Sequence, residues 1–281
     1  MKFYKNMNNK LSIFGATGFI GSRFCQMYPN DIIKIDRNDY QPKTNNILYF
    51  ISTTDNYNVF DNPEKDIETN ILILLKVLQN CKKGDTFNFI SSWFVYGDTD
   101  LPAKEISYCN PKGFYAISKK TAEDLLISYC DTMGINYRIF RLCNVIGETD
   151  NGVSKKKNAL QYLIGEIKDN KDINLYHGGV FVRDYMYVND VCSAIYLCTD
   201  QSNLNDIYNI GSGVGYVFLD LMEYCKEKLN STSKFNAVEP SDFHKIVQVK
   251  NMYLNVEKLK ALGFEPKYSI YESLDKIIGD K

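Results

Sequence analysis

Tyr115 and Lys119 stand four residues apart in Tyr115-Ala-Ile-Ser-Lys119, which sets a phenol and an ammonium on one face of a helix. A free phenol titrates near pH 10 and is a poor base at neutral pH. Lowering it to about 7 takes roughly 4 kcal/mol, at about 1.4 kcal/mol per pH unit, and nearby positive charge can supply this. Ser92 ends an apolar run upstream of Tyr115. Its hydroxyl can hydrogen-bond a substrate oxygen where alkoxide character develops. Such a trio suits proton and hydride exchange at an alcohol or ketone. Alone, Tyr-x-x-x-Lys is common and reads as surface decoration of a helix; its partner motif lies near the start of the chain.

There Leu11–Phe14 runs into Gly15-x-x-Gly18-x-x-Gly21 and a helix-like stretch follows. A strand, a glycine turn and a helix N-terminus form a cradle for a pyrophosphate, because bare backbone approaches closely and the helix end offers unpaired N–H groups. Asp36 then ends the second strand-like run. A carboxylate there accepts both ribose hydroxyls of adenosine and repels a 2′-phosphate, which favours NAD; Arg37 beside it could tolerate that phosphate and keeps NADP as the alternative.

These groups need a scaffold. Strand-like runs occur at 11–14, 32–35, 47–51, 86–90, 137–142 and 207–210, and helical patterns at 19–27, 63–79, 114–132, 191–199, 217–229 and 254–262. Short buried strands alternating with helices predict an α/β fold with a doubly wound parallel Rossmann sheet. After Gly147 the pattern loosens into a smaller mixed C-terminal substrate lobe. The expected organisation is an NAD-binding domain over 1–152, to which 181–212 return, and a substrate-binding lobe over 153–180 and 213–281. Between Asp36 and Ile47 there is no room for both a crossover helix and a parallel strand, since such a crossover takes a dozen or more residues. The strand-three region is therefore expected to be reduced. Residues 32–35 would then form an outer edge of the sheet, covered by the polar residues 38–46.

The chain has 281 residues, 44% of them hydrophobic, and a net charge of −1. That suffices for a large core and gives no electrostatic footprint for nucleic acid or an acidic membrane surface. Residues 1–10 are polar and basic, and the longest aliphatic run, 71–75, is too short to span a bilayer, so a cytoplasmic location is expected. Eight cysteines form no C-x-x-C pair, which predicts free thiols in a reducing compartment. With only His177 and His244 as histidines, no metal set is expected.

The motifs together resemble the extended short-chain dehydrogenase/reductases, in the branch of NAD-dependent sugar-nucleotide epimerases and dehydratases. The resemblance runs through Gly15-Ala-Thr-Gly18-Phe-Ile-Gly21, Ser91-Ser92-Trp-Phe-Val-Tyr96-Gly97 and Tyr115-x-x-x-Lys119. It continues through Arg141-Leu-Cys-Asn144-Val-Ile-Gly147, Arg183-Asp184-Tyr185 and Asn209-Ile-Gly211-Ser-Gly213. It implies hydride transfer between the nicotinamide and a sugar carbon, usually C4, with Tyr115 moving the hydroxyl proton, Ser92 beside it and Lys119 also gripping the nicotinamide ribose. It further implies a cofactor site drawn from Gly15, Thr17, Gly18, Phe19, Ile20, Gly21, Asp36, Arg37, Ser52, Thr53, Asn70, Tyr115, Lys119 and Cys143. For the substrate it implies Asn144, Asn158 and Arg183, the last as a clamp on a diphosphate, which suits a planar fork of donors; Trp93, the one tryptophan of the chain, could wall the sugar pocket or equally pack the core. A salt bridge with Asp184 is the plainer role for Arg183. Lys155–Lys157 could attract phosphates, but a solvated loop is the better explanation of them. The family's long helices imply a homodimer.

The departures narrow the expectation. The 4,6-dehydratases of this family carry an Asp-Glu pair after the small hydroxyl residue, where this chain has Trp93-Phe94; neither side chain moves a proton, so dehydration is not expected. The arginine usual before the final helix is absent from His244–Lys250. With a reduced third strand, adenine would lie in a shallow groove with Tyr40 nearest to stack on it. The expected activity is that of a 4-epimerase on a nucleotide-diphosphate hexose. A nucleotide-sugar 4-keto reductase is the alternative, and a non-catalytic nucleotide-sensing scaffold a more distant one.

Overall fold

The computed structural model describes residues 10–54, 56–150, 153–154 and 157–279. Its spine is a parallel sheet formed where the chain is most continuously apolar. The strands are β1 (Leu11–Phe14), β2 (Ile32–Lys34), β3 (Asn46–Tyr49), β4 (Thr86–Ser92), β5 (Asn136–Leu142) and a sixth, Asp206–Ile210. Their order across the sheet is Asp206–Ile210, β5, β4, β3, β1, β2, and every neighbouring pair is parallel. Side chains of β3 alternate between two cores. Ile47 and Tyr49 pack with Leu74, Val77 and Leu126, while Leu48 packs with Ile13, Phe24 and Val191. Burial of both faces is why these strands read as largely apolar runs. Helices α1 (Phe19–Met27) and Val188–Gln201 serve one core; Gly113–Met133 and residues 64–78 serve the other. This is the doubly wound α/β architecture expected from the sequence.

β2 stands at the outer edge, so the strand-three region is reduced. Since β1 lies between β2 and β3, their connection must pass over β1, and it does so as an irregular loop over residues 35–45. Ser12 on β1 is fully buried, and its Oγ accepts the N–H groups of Lys43 and Thr44 at 2.9 Å each. This corrects the expectation that residues 38–46 cover the free edge of β2. Backbone donors crossing a sheet face need an acceptor, and Ser12 holds that end of the loop over β1.

Two helical expectations also change. Residues 63–79 are not one α-helix. Glu64–Ile67 and Ile73–Leu78 flank a π-helical turn, Glu68–Leu72, and a separate turn, Asn58–Asp61, precedes them. The helix expected at 254–262 covers only Glu257–Ala261. Leu254 bridges to Ala103, and the buried Asn209 carboxamide donates to the carbonyls of Ala103 and Asn255 at 2.9 and 3.0 Å. That tie diverts the backbone from helical pairing.

The C-terminal lobe packs helices Ala159–Lys168, Phe218–Lys228 and Ile270–Ile278 around a third core with Ile146, Leu175 and Leu221. Strand Ile173–Tyr176 pairs in parallel with Phe235–Val238. Val249, Met252, Leu254, Leu259 and Phe264 join the core of the sheet instead. Packing therefore divides the 213–281 stretch between the two halves, where the sequence suggested one lobe. No described helix is long and apolar enough to cross a membrane. The eight cysteines are free, and six of them are buried.

Candidate active site

The C-terminal ends of β1, β3 and β4 open into a cleft of about 1120 Å³ that also meets the C-terminal lobe. Gly15, Gly18, Phe19, Ile20 and Gly21 line its cofactor end. A Cβ on Gly21 would stand 2.3 Å from the carbonyl oxygen of Gly15, so only glycine lets α1 seat this closely on the turn. Gly18 caps α1 with no side-chain hydrogen bond, and no acidic residue occupies the first turn. The free N–H groups and positive end of that helix fit the pyrophosphate of a dinucleotide.

Ser52 and Thr53 form the adjoining wall. Asn70 does not line the cleft, contrary to expectation. It lies beneath Thr53, on the π-helical turn. Its Oδ1 accepts the Thr53 N–H at 2.9 Å, and its Nδ2 donates to Thr53 Oγ1 and Ser118 Oγ at 2.8 Å each. The buried Asp66 accepts hydrogen bonds from Thr53 Oγ1 and, at 3.1 Å, from Asn58. Asn70 thus fixes the wall rather than forming it, and the π-turn is the local irregularity that aims it. Thr17, Asp36 and Arg37 also fall outside the cleft lining and are exposed. Tyr40 is half-buried, with the Lys76 ammonium 5.2 Å from its ring centre.

Ser92, Tyr115 and Lys119 all line this cleft. β4 delivers Ser91 and Ser92; the Ser92 hydroxyl accepts the Phe94 N–H at 3.3 Å, and Ser91 Oγ is buried without a partner. Tyr115 stands near the start of helix Gly113–Met133, with Phe94 edge-on at 5.7 Å. Lys119 is buried: its Nζ donates to the Ile90 carbonyl at 2.7 Å and lies 4.0 Å from the Phe89 ring centre. Desolvation pulls the Lys119 ammonium down to about 7, with Glu123 opposing. Glu123 is itself held by a buried two-pronged pair with Arg141, at 3.0 and 2.7 Å, which fastens the helix to β5.

On the substrate side, Trp93 stacks on Phe94 with ring centres 3.9 Å apart, and its Nε1 donates to Asn144 Oδ1 at 3.3 Å. Asn144 Nδ2 donates in turn to the Asp184 carbonyl at 2.9 Å. Asn158 holds Gln161 Oε1 at 2.5 Å. Cys143 is buried, and desolvation pushes its thiol well up. Arg183 is buried in the cleft wall and donates to the carbonyls of Val182, Val249 and Lys250 at 2.7–2.9 Å. Burial pushes its guanidinium down to about 10. It forms no salt bridge with Asp184. Lys157 lines the cleft and pairs with Asp150 at 3.5 Å; Lys155 and Lys156 lie outside the described residues. Lys245 and Lys250 supply positive charge where an arginine was expected and not found.

Sequence reasoning passed over Asn56, Tyr57 and Tyr176 in this cleft, and saw His244 only in other contexts. No spacing rule marks the first three. Ser91 was visible within Ser91-Ser92 but was given no role.

A glycine-turn nucleotide cradle joined to a Ser/Tyr/Lys centre defines a dinucleotide-dependent oxidoreductase fold. The model of the NAD dependent epimerase/dehydratase family matches residues 54–211, and the chain belongs to that family. It is an NAD-dependent enzyme of the extended short-chain dehydrogenase/reductase type. A Methanocaldococcus jannaschii protein, provisionally named a UDP-glucose 4-epimerase, is 27% identical over 79% of this chain and 72% of its own length. The dTDP-4-dehydro-6-deoxyglucose reductase of Escherichia coli is 24% identical over 77% of this chain and 68% of its own. Among solved structures, the UDP-glucose 4-epimerase of Thermotoga maritima with UDP-glucose superposes with a TM-score of 0.84, at 21% identity, over 96% of this chain and 98% of that one.

Proposed function

We propose that this enzyme transfers hydride at C4 of a nucleotide-diphosphate hexose and is of the 4-epimerase type. The observation that carries the reading is Arg183, a buried guanidinium with no carboxylate partner among the described residues, in the same cleft as Ser92, Tyr115 and Lys119. A cation so placed suits a substrate diphosphate. Trp93 and Phe94 stack where a dehydratase needs acids, which speaks against loss of water. The relative from M. jannaschii and the T. maritima epimerase support the choice of reaction.

In this reading Gly15–Gly21 and the start of α1 hold the dinucleotide, Ser52 and Thr53 wall it, and Asp36 selects NAD. Bound NAD supplies a hydride acceptor that becomes the donor on the return step. Tyr115 takes the C4 hydroxyl proton and later returns it. Lys119 places positive charge beside the phenolate, and Ser92 donates to the C4 oxygen as it gains negative charge. Trp93 walls the sugar, which must present its other face before reduction. The first half of the chain serves the cofactor and the C-terminal lobe the nucleotide sugar.

A 4-keto-sugar reductase is the second reading, favoured by the E. coli relative. Incubation with UDP-glucose, without added nicotinamide, tests the choice. Proton NMR should show a UDP-hexose inverted at C4. An unchanged UDP-glucose pool, with NAD(P)H consumed on a 4-keto sugar, would replace the epimerase reading with the reductase.

A further inference from the structure

We propose that Trp93 is a positioning residue for the substrate diphosphate: its indole ring holds the Arg183 guanidinium in place to grip the phosphates. The inference rests on the sugar-nucleotide reading above and adds to it a second residue, behind the arginine.

The first observation is the contact itself. Arg183 Cζ lies over the Trp93 ring, 5.4 Å from its centre, and 4.9 Å from the centre of the Phe181 ring. An aromatic face attracts a guanidinium, and the attraction grows where water is excluded. Here Trp93 is 3% exposed and Arg183 9%.

The second is which N–H groups of Arg183 are left over. A guanidinium has five. Nη1 donates to the carbonyls of Val182 and Lys250, and Nη2 donates to that of Val249. Nε has no partner among the described residues, and it is not one of the buried side-chain atoms left without one, so it retains contact with solvent. Arg183 lines the cleft. Nε–H and one N–H of Nη2 are therefore free for phosphate oxygens. The carbonyls hold the rest of the fork, and Trp93 and Phe181 pack against the cation.

The third is that Trp93 is tied both to the chain around Arg183 and to the reacting centre. Its Nε1 donates to Asn144 Oδ1 at 3.3 Å, and Asn144 donates through its N–H and Nδ2 to the Asp184 carbonyl at 3.1 and 2.9 Å. In the other direction its ring stacks on Phe94 at 3.9 Å, and Phe94 meets Tyr115 edge-on at 5.7 Å. Ser92 precedes Trp93 and caps its turn by accepting the Phe94 N–H. The arginine is thus set against the segment that bears Ser92 and touches Tyr115. Loosening Trp93 would free the guanidinium without removing its charge.

The test is a double-mutant cycle on Trp93→Leu and Arg183→Met. Each protein is saturated with NAD and titrated by calorimetry with UDP, dTDP, GDP, CDP and their glucose conjugates. For whichever nucleotide binds, Trp93→Leu should weaken the bare diphosphate about tenfold when Arg183 is present, and less than about twofold in the Arg183→Met background. Trp93→Phe keeps a ring face and should stay within about threefold of wild type. Equal losses in both backgrounds, no loss, or a loss confined to the glucose conjugate would overturn the role of Trp93 alone. Should a variant fail to fold, wild type supplies the answer, because Trp93 is the one tryptophan of the chain. Its fluorescence emission should shift as the bare diphosphate binds and saturate at the calorimetric Kd. An emission that stays unchanged while the diphosphate binds would likewise overturn the role. A wild type that binds neither diphosphates nor conjugates would overturn the sugar-nucleotide reading, and this inference with it.

Discussion

Arg183 and Asp184 are neighbours in sequence, carry opposite charge, are both buried, and do not pair. Arg183 donates to the carbonyls of Val182, Val249 and Lys250. Asp184 accepts the N–H and hydroxyl of Ser212 at 3.0 and 2.6 Å, and the N–H groups of Gly213 and Leu254 at 3.2 and 3.3 Å. Its burial still raises the carboxyl to about 6. The carboxylate fastens the loop after the sixth strand, and the guanidinium, in the cleft wall, has no carboxylate partner among the described residues. Arg183→Lys keeps the charge but loses the planar fork. It should raise the KM for the nucleotide sugar about tenfold, the scale of one charge-assisted hydrogen bond, with a smaller change in kcat. Steady-state kinetics with an unchanged KM would count against the diphosphate role.

Tyr115→Phe should remove nearly all turnover and leave NAD binding intact, because only the proton carrier is lost. The variant keeps the ring that meets Phe94, so packing persists. Activity above about a tenth of wild type would exclude Tyr115 as the principal proton carrier.

The buried Lys119 ammonium opposes folding. Its folded pKa, about 7, lies below the ordinary lysine value of 10.5 because of burial. The unfolded chain therefore binds more protons between these values, and this residue's contribution makes stability rise with pH from about 7 to 10.5. The full penalty is present below that window. Lys119→Met should raise the Tm of the cofactor-free protein by at least about 2–4 °C at pH 6, abolish activity, and lose the Tm advantage toward pH 10. A variant less stable than wild type at pH 6 would contradict this.

Asp36 lies exposed just past β2. Asp36→Ala should increase the use of NADP relative to NAD, by removing repulsion of the 2′-phosphate and leaving Arg37 to bind it. A wild type that already prefers NADP would show that Asp36 does not select the cofactor.

Ile67, Leu72, Phe114, Ile117 and Leu125 are exposed apolar residues on the π-containing segment and the helix of Tyr115. They suit pairing with a second copy of the chain in a four-helix contact. Light scattering at micromolar concentration should report a homodimer; a lone monomer would refute it.

The sheet was legible because its strands are buried on both faces. Leu11–Phe14 shows as a short, mostly apolar run whatever surrounds it. The reduced third strand followed from counting residues between Asp36 and Ile47. The route of that loop did not, since one buried serine on β1 decides it. The C-terminal lobe was obscure for a different reason. The pairing of Ile173–Tyr176 with Phe235–Val238 joins segments far apart in sequence, and helix Ala159–Lys168 begins after Asn158 at φ +56° with no side-chain cap. Within the site, glycine turns and Tyr-x-x-x-Lys have fixed local spacing. The position of Asn70 beneath Thr53 depends on a π-turn, and that of Asn56 on a glycine 57 residues later. Neither leaves a periodic trace.

Mass spectrometry of the cofactor released from purified protein tests the central claim most directly. An epimerase oxidises and reduces the same sugar without exchanging its dinucleotide. The account predicts close to one NAD per chain, retained through purification and sufficient for turnover of a nucleotide sugar with none added. A protein isolated empty, which turns over only with added NADPH and a 4-keto sugar, would contradict it.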